Sequence, residues 1–136
     1  MKLIPYLNFD GDCEAAFKFY EQVFGGEIGD KMTYKGSPME AETPASWHNK
    51  IMHMSMQIGD QVIMGSDAAP AYFEEPKGTT ISIQIDDTQK AEQIFKALAE
   101  NGAVKMDMQE TFWATRFGMV TDQFGTPWMI NCDKAA

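Results

Sequence analysis

One helical stripe written twice constrains this chain more than any other feature. Between Asp12 and Phe24 the apolar residues Cys13, Ala16, Phe17, Tyr20, Val23 and Phe24 recur at helical spacing, with Asp12 as N-cap and Gly25-Gly26 as the stop. A second stripe of Ala91, Ile94, Phe95 and Leu98 follows Asp87 or Thr88 as cap and is closed by Gly102. An offset of 78 places Cys13, Ala16, Phe17 and Tyr20 on those four residues. One strand pattern precedes each stripe and three follow it: 3–9, then 27–34, 51–58 and 61–66; 79–85, then 104–109, 114–121 and 127–132. The chain therefore reads as βαβββ written twice, an α+β protein with a first module at 1–66, a linker at 67–78 and a second module at 79–133. Gly59-Asp60 predicts a two-residue type II′ hairpin, because glycine accepts the positive φ that such a turn needs at its first central position. The stretch 35–49 is long for a structureless connection and reads as a lid or dimer arm, or else as a mobile surface loop.

Charge narrows the partners. The 136 residues carry 11 Lys+Arg against 20 Asp+Glu, a formal net charge of −9, and no basic cluster. Phosphate backbones and anionic membrane surfaces would repel such a chain, so neither nucleic acid nor membrane is an expected partner. No apolar run approaches the length of a bilayer span, and the first residues lead into a strand pattern rather than a signal peptide, so a cytoplasmic location is expected. Cys13 and Cys132 lie far apart without a CxxC, which indicates neither a thiolate metal site nor a disulfide framework.

Alternation gives each strand two faces, one of which should cover a helix. The helix side is read as Leu7 and Phe9; Met52, Met54, Met56 and Ile58; Ile81, Ile83 and Ile85; Phe117 and Met119; and Trp128, Ile130 and Cys132. The second face then holds Tyr6, Asn8, His53, Ser55, Gln57, Thr80, Ser82, Gln84, Arg116 and Asn131, with Ile4, Val120 and Met129 among them. Such a polar face is either solvent-exposed sheet or the wall of a cavity, and buried there without partners each group would cost roughly 1 to 3 kcal/mol.

The doubled βαβββ order, the run Pro5-Tyr6-Leu7-Asn8-Phe9-Asp10-Gly11 leading into Ala16-Phe17-Lys18-Phe19-Tyr20, and the segments Gln109–Gly118 and Thr121–Gly125 resemble PhnB-like proteins of the vicinal oxygen chelate superfamily, which includes glyoxalase I, bleomycin-resistance proteins and extradiol dioxygenases. The resemblance covers essentially the whole chain. It implies two βαβββ modules forming an incomplete eight-stranded barrel with helices outside, a cavity within, and a homodimer. In the superfamily's metal enzymes, His and Glu ligands come from the first and last strands of each module. The matching places here are Ile4 or Pro5, Met64 or Ile63, Thr80 or Thr79, and Met129, none of them a good ligand for such an ion, so no metal and no cofactor are expected. A relocated site joining His53 to Asp67, Glu110 or Asp122 is the alternative. Some relatives bear a demethylubiquinone methyltransferase description, but no glycine-rich turn with a ribose-binding acid downstream is present to hold an adenosyl cofactor.

Individual residues carry competing meanings. His53 suits general acid/base work or a structural hydrogen bond, while His48 reads as a surface residue. Arg116 suits a carboxylate or phosphate, or else an internal ion pair. Tyr6 and Trp113 would supply aromatic walls, with Asn8 and Asn131 orienting a ligand; Trp113 could instead pack at a dimer seam. Cys13 sits at a helix start, which favours thiolate, but on the apolar stripe, which favours an inert buried thiol. The expectation is a small-molecule-binding protein without the usual metal, taking a modest polar or anionic organic ligand on Tyr6, Asn8, His53, Trp113, Arg116 and Asn131. The alternative is a lyase, isomerase or dioxygenase in which His53 is the base and Arg116 stabilises an oxyanion.

Overall fold

The computed structural model describes residues 1–134. They divide into two compact units, Met1–Glu74 and a second from Glu75 onward. In the first, β1 (Tyr6–Phe9), α1 (Cys13–Phe24), β2 (Glu27–Thr33), β3 (Ile51–Ile58) and β4 (Gln61–Asp67) build a sheet of order β1-β4-β3-β2. In the second, β5 (Ile81–Gln84), α2 (Thr88–Ala99), β6 (Ala103–Gln109), β7 (Ala114–Thr121) and β8 (Pro127–Asp133) repeat that order as β5-β8-β7-β6. The first and last strands of each unit pair in parallel, and the other neighbours are antiparallel. No helix is long and apolar enough to cross a membrane among the described residues.

Each helix is held by the stripe that defines it. Cys13, Ala16, Phe17 and Tyr20 are the buried residues of α1, and Ala91, Ile94, Phe95 and Leu98 those of α2. Two strand glycines let the helices approach. A Cβ on Gly65 of β4 would lie 2.9 Å from the Phe17 ring, and one on Gly118 of β7 would lie 2.9 Å from the Phe95 ring. The two phenylalanines are equivalent positions of the repeated stripe, so each ring occupies the space that a strand side chain would have filled.

Helix ends depart from the expectation. Asp12 makes no side-chain cap; the first-turn amide of Cys13 is taken instead by Asp67, from the end of β4. Asp67 is 1% exposed, its Oδ1 accepting from Gly11 N at 3.0 Å and Cys13 N at 2.9 Å and its Oδ2 from Ile51 N at 2.8 Å. It is therefore a structural residue of β4 rather than the first residue of a linker. In α2 the expected Asp87 caps through its carboxylate, accepting from Gln89 N and Lys90 N. Asn101, with φ +57°, takes the left-handed position after that helix, one residue before Gly102. At the β3–β4 hairpin Gly59 has φ +60° and Asp60 keeps a negative φ, which is the type II′ pattern.

Residues 35–49 are built, not structureless. Two 3₁₀ turns, Glu40–Glu42 and Ala45–Trp47, fold the segment, and His48 Nε2 donates to the carbonyls of Glu40 at 3.1 Å and Thr43 at 2.9 Å. His48 is half-buried and serves the loop, in place of the surface role read from the sequence. Lys50 and Trp47 then pack this loop against Gly11 at the start of α1, the Lys50 ammonium donating to the Gly11 carbonyl at 3.0 Å.

Replacing Asp67 by Ala leaves three main-chain amides without their acceptor, so we expect Asp67→Ala to lower unfolding stability by about 3 kcal/mol or more. A urea midpoint unchanged from wild type would contradict this placement of the carboxylate.

Candidate functional site

The face of the first sheet turned away from α1 carries Tyr6, Asn8, His53, Ser55 and Gln57. Registers of Tyr6 with Met64, Asn8 with Ser66 and Ser55 with Met64 set these side chains side by side, while Leu7, Phe9, Met54, Met56 and Gly65 alternate toward the helix. Tyr6 and His53 meet across β4: the Tyr6 hydroxyl lies 3.2 Å from His53 Nδ1, and the rings stack with centroids 5.8 Å apart. Tyr6 is 46% exposed, so this pair faces open space. Farther along the same sheet, a register shift between Ile28 and Lys31 breaks the β2–β3 ladder, and a cleft of about 310 Å³ opens there against Glu27, Gly29, Ser55, Gln57 and Val62.

In the second unit the corresponding face is organised by Asn131. Its Oδ1 accepts from the Trp113 indole at 3.0 Å, and its Nδ2 donates to Asp133 at 2.7 Å, which fixes the orientation of the amide. Trp113 also meets Phe117 edge to face at 5.1 Å, a contact that holds the indole against β7. A cleft of about 270 Å³ lies beside this network, lined by Gln84, Ile85, Asp86, Asn131 and Asp133.

Arg116 does not belong to that face. Phe117 pairs with Asn131, Gly118 with Ile130 and Val120 with Trp128, so β7 turns Arg116, Gly118 and Val120 toward α2 and leaves Phe117 and Met119 on the far side. The sequence-based assignment of β7 is thus reversed. The Arg116 guanidinium is bound to Glu92 of α2 at 2.6 Å and donates to the Met108 carbonyl at 3.0 Å. Its role is to tie α2 to β6 and β7.

The alternative metal ligands are engaged elsewhere. Asp67 points to the helix side of its sheet, opposite His53, and Glu110 pairs with Lys134. Asp122 builds the β7–β8 turn, accepting from Phe124 N, Thr126 N and the Trp128 indole. At the superfamily's ligand places, Met64 stands opposite Tyr6 and Met129 opposite Ser82. No group of three or more His, Cys, Asp or Glu side chains comes together among the described residues. Thioethers and hydroxyls are poor donors for a divalent ion that prefers imidazole and carboxylate, so the residues present do not fit the superfamily's metal.

The sequence matches the family described as 3-demethylubiquinone-9 3-methyltransferase over residues 1–131. The chain belongs to that family. Its fold is the one shared by PhnB and glyoxalase/bleomycin-resistance/dioxygenase proteins, the vicinal oxygen chelate fold. Protein YjdN of Escherichia coli K12 is 37% identical over 142 residues, covering 98% of this chain and 97% of YjdN. The structure of protein PA1353 from Pseudomonas aeruginosa is 43% identical, covers 99% of both chains and superposes with a TM-score of 0.90. The Bacillus cereus PhnB protein, 20% identical over 97% of this chain and 99% of its own, shares the fold at a TM-score of 0.81. So does a glyoxylase/bleomycin resistance protein/dioxygenase domain from Frankia, 11% identical over 98% of both chains, at 0.70. Within the PhnB-like chain described here, the two strand-to-helix turns contain the single glycine Gly11 and no glycine-rich loop.

Both thiols are buried. Burial pushes the Cys13 thiol far above its ordinary range, and the neighbouring carboxylate of Asp67 adds to the shift. Burial likewise raises Cys132, with Glu92 contributing. A raised thiol pKa keeps thiolate scarce at neutral and mildly alkaline pH. The native protein should therefore leave both cysteines unlabelled by an aromatic disulfide reagent at pH 8, and denaturant should expose two; rapid native labelling would contradict this.

Proposed function

We propose that the protein binds a small polar organic molecule on the open face of the first sheet, without the superfamily's usual metal. The observation that carries this reading is the Tyr6–His53 pair. Two polar rings hydrogen-bonded to one another at 3.2 Å and exposed on a sheet face, with Asn8 and Ser66 in the neighbouring row, form a wall that offers donors and acceptors to a ligand. The expectation of an anionic ligand rested on Arg116, whose guanidinium is neutralised by Glu92. The two clefts are lined by Glu27 in one and by Asp86 and Asp133 in the other, and no Lys or Arg lines either. An uncharged ligand rich in hydroxyl or amide groups suits such surroundings better than an anion. In the second unit, the clamped amide of Asn131 and the half-exposed Trp113 offer a polar anchor beside an aromatic surface.

The same pair supports a second reading, an enzyme of lyase, isomerase or dioxygenase type. With its proton on Nδ1, His53 donates to the Tyr6 oxygen and leaves Nε2 as a base; with its proton on Nε2, it accepts from the Tyr6 hydroxyl and cannot act as one there. The direction of the Tyr6–His53 hydrogen bond thereby decides whether Nε2 is free to act as a base. Arg116 takes no part in this version either.

The two readings share a test. Screening a library of small polar compounds by amide NMR should give ligands that perturb Tyr6, Asn8 and His53. His53→Ala should weaken them about tenfold, as expected for loss of one well-placed hydrogen bond, while Arg116→Gln leaves affinity unchanged. Turnover of a bound compound that His53→Ala abolishes would favour the enzyme. Perturbations centred on Arg116, or ligands indifferent to His53, would overturn both.

A further inference from the structure

Three methionines stand in one row across the open face of the second sheet. Met106 of β6 lies directly opposite Met119 of β7, and Met119 lies directly opposite Met129 of β8. Ser82 of β5 ends the row, opposite Met129. Residues opposite one another in a sheet share a face, and β7 turns Met119 away from α2. Two bulges in β6, one on either side of Met106, keep that strand in phase with β7, since at each of them β6 spends one residue more than its partner. Met106 therefore shares the face of Met119, whereas Met108, two positions on, reaches the helix side, where its Sδ would lie 2.6 Å from a Cβ on Gly118. The row is not part of the core: Met54 and Met56 of the first sheet are 1% and 0% exposed, but Met106 is 38% exposed and Met119 and Met129 are half-buried.

We propose that Met106, Met119 and Met129 form a three-thioether site for a soft monovalent metal ion of the copper(I) class. Thioether sulfur is neutral and polarisable, so it discriminates against the divalent ions that want imidazole and carboxylate and favours copper(I). Directly opposite side chains have Cβ atoms about 4.5 to 5.5 Å apart, so the outer two methionines lie within about 10 Å of one another with the third between them. Three rotatable bonds let the sulfur at each end of the row lean inward onto an ion held above Met119. Neutral ligands leave the ion's single positive charge in place, which suits a chain of net charge −9. The softness that disqualifies Met129 as a ligand for a divalent ion qualifies it here.

On the open face of the first sheet the methionines are dispersed. Met64 has Tyr6 on one side and Ser55 on the other, and Met32 lies opposite His53, so these two thioethers fall in different rows. The inference is independent of the ligand reading, because Tyr6, Asn8 and His53 take no part in the methionine row and its variants leave them untouched.

The test is a titration of the full chain with silver(I), a redox-inert ion of the same class, in chloride-free buffer, followed through the methionine methyl signals by carbon-13 NMR. It is run on wild type, whose two thiols are buried, and on the protein carrying both Cys13→Ala and Cys132→Ala, in which no thiol competes. In each, one equivalent of silver(I) should shift the methyls of Met106, Met119 and Met129 and leave those of Met32 and Met64 in place. Met119→Leu and Met129→Leu conserve volume while removing sulfur, and each should weaken silver(I) binding about tenfold, whereas Met64→Leu should leave it unchanged. Zinc(II) at the same concentration should shift none of the three. Methyl shifts confined to Met32 and Met64, equal binding of zinc(II), an affinity indifferent to both Met119→Leu and Met129→Leu, or the absence of saturable silver(I) binding would each overturn the proposal.

Discussion

The buried carboxylate of Asp67 is the constraint on which the first unit depends. By accepting main-chain N–H groups from Gly11, Cys13 and Ile51, it joins the end of β4 to the entry of α1 and to the first residue of β3. Hydrogen bonds to a charged acceptor are worth more than neutral ones, and an unpaired buried carboxylate would be costly, so the three amides and the acid require one another. With β4 held at that end, its register against β1 and β3 follows, and with the register the identity of the side chains on each face. The open face therefore presents Tyr6 and His53 because a residue on the opposite side fixes the strand between them.

The second unit uses different chemistry for the same purpose. Arg116 ties α2 to β6 and β7 through Glu92 and the Met108 carbonyl, and Asp122 closes the β7–β8 turn. Trp113 and Asn131 hold one another on the far face. Most of the second-half motif that marks the PhnB-like family is thus engaged in building the module. Of the motif residues, Tyr6 and Asn8 stand on the open sheet face while Arg116 and Asp122 build the module, so recognising the family leaves the ligand to be argued from geometry.

The repeated helical stripe was largely legible, because helix burial follows a single period: Cys13, Ala16, Phe17 and Tyr20 of the first stripe and all four residues of the second are buried, while Val23 and Phe24 at the end of the first are half-buried. The β3 alternation around His53 was legible for the same reason. In β7 the sequence Thr115-Arg116-Phe117-Gly118-Met119 offers large side chains on both parities, and hydrophobicity favoured the wrong one. The informative residue was Gly118, since a glycine inside a strand marks close approach of another group, here the Phe95 ring. Asp67 was illegible as a core residue because a polar residue beside Ala-Ala-Pro resembles the start of a linker, and only the three-dimensional return of β4 to α1 gives it partners. The Tyr6–His53 contact reaches from β1 to β3 across β4, through one parallel and one antiparallel pairing, and needed both registers to be known.

The central proposal is that this chain, of vicinal oxygen chelate fold, binds its ligand through hydrogen-bonding side chains on an open sheet face without a bound metal. Native mass spectrometry of protein purified without chelator, paired with elemental analysis of the same sample, tests it most directly. The account predicts a chain free of divalent metal that retains or accepts a small polar organic adduct. One equivalent of a divalent metal per chain, kept through purification, would contradict it.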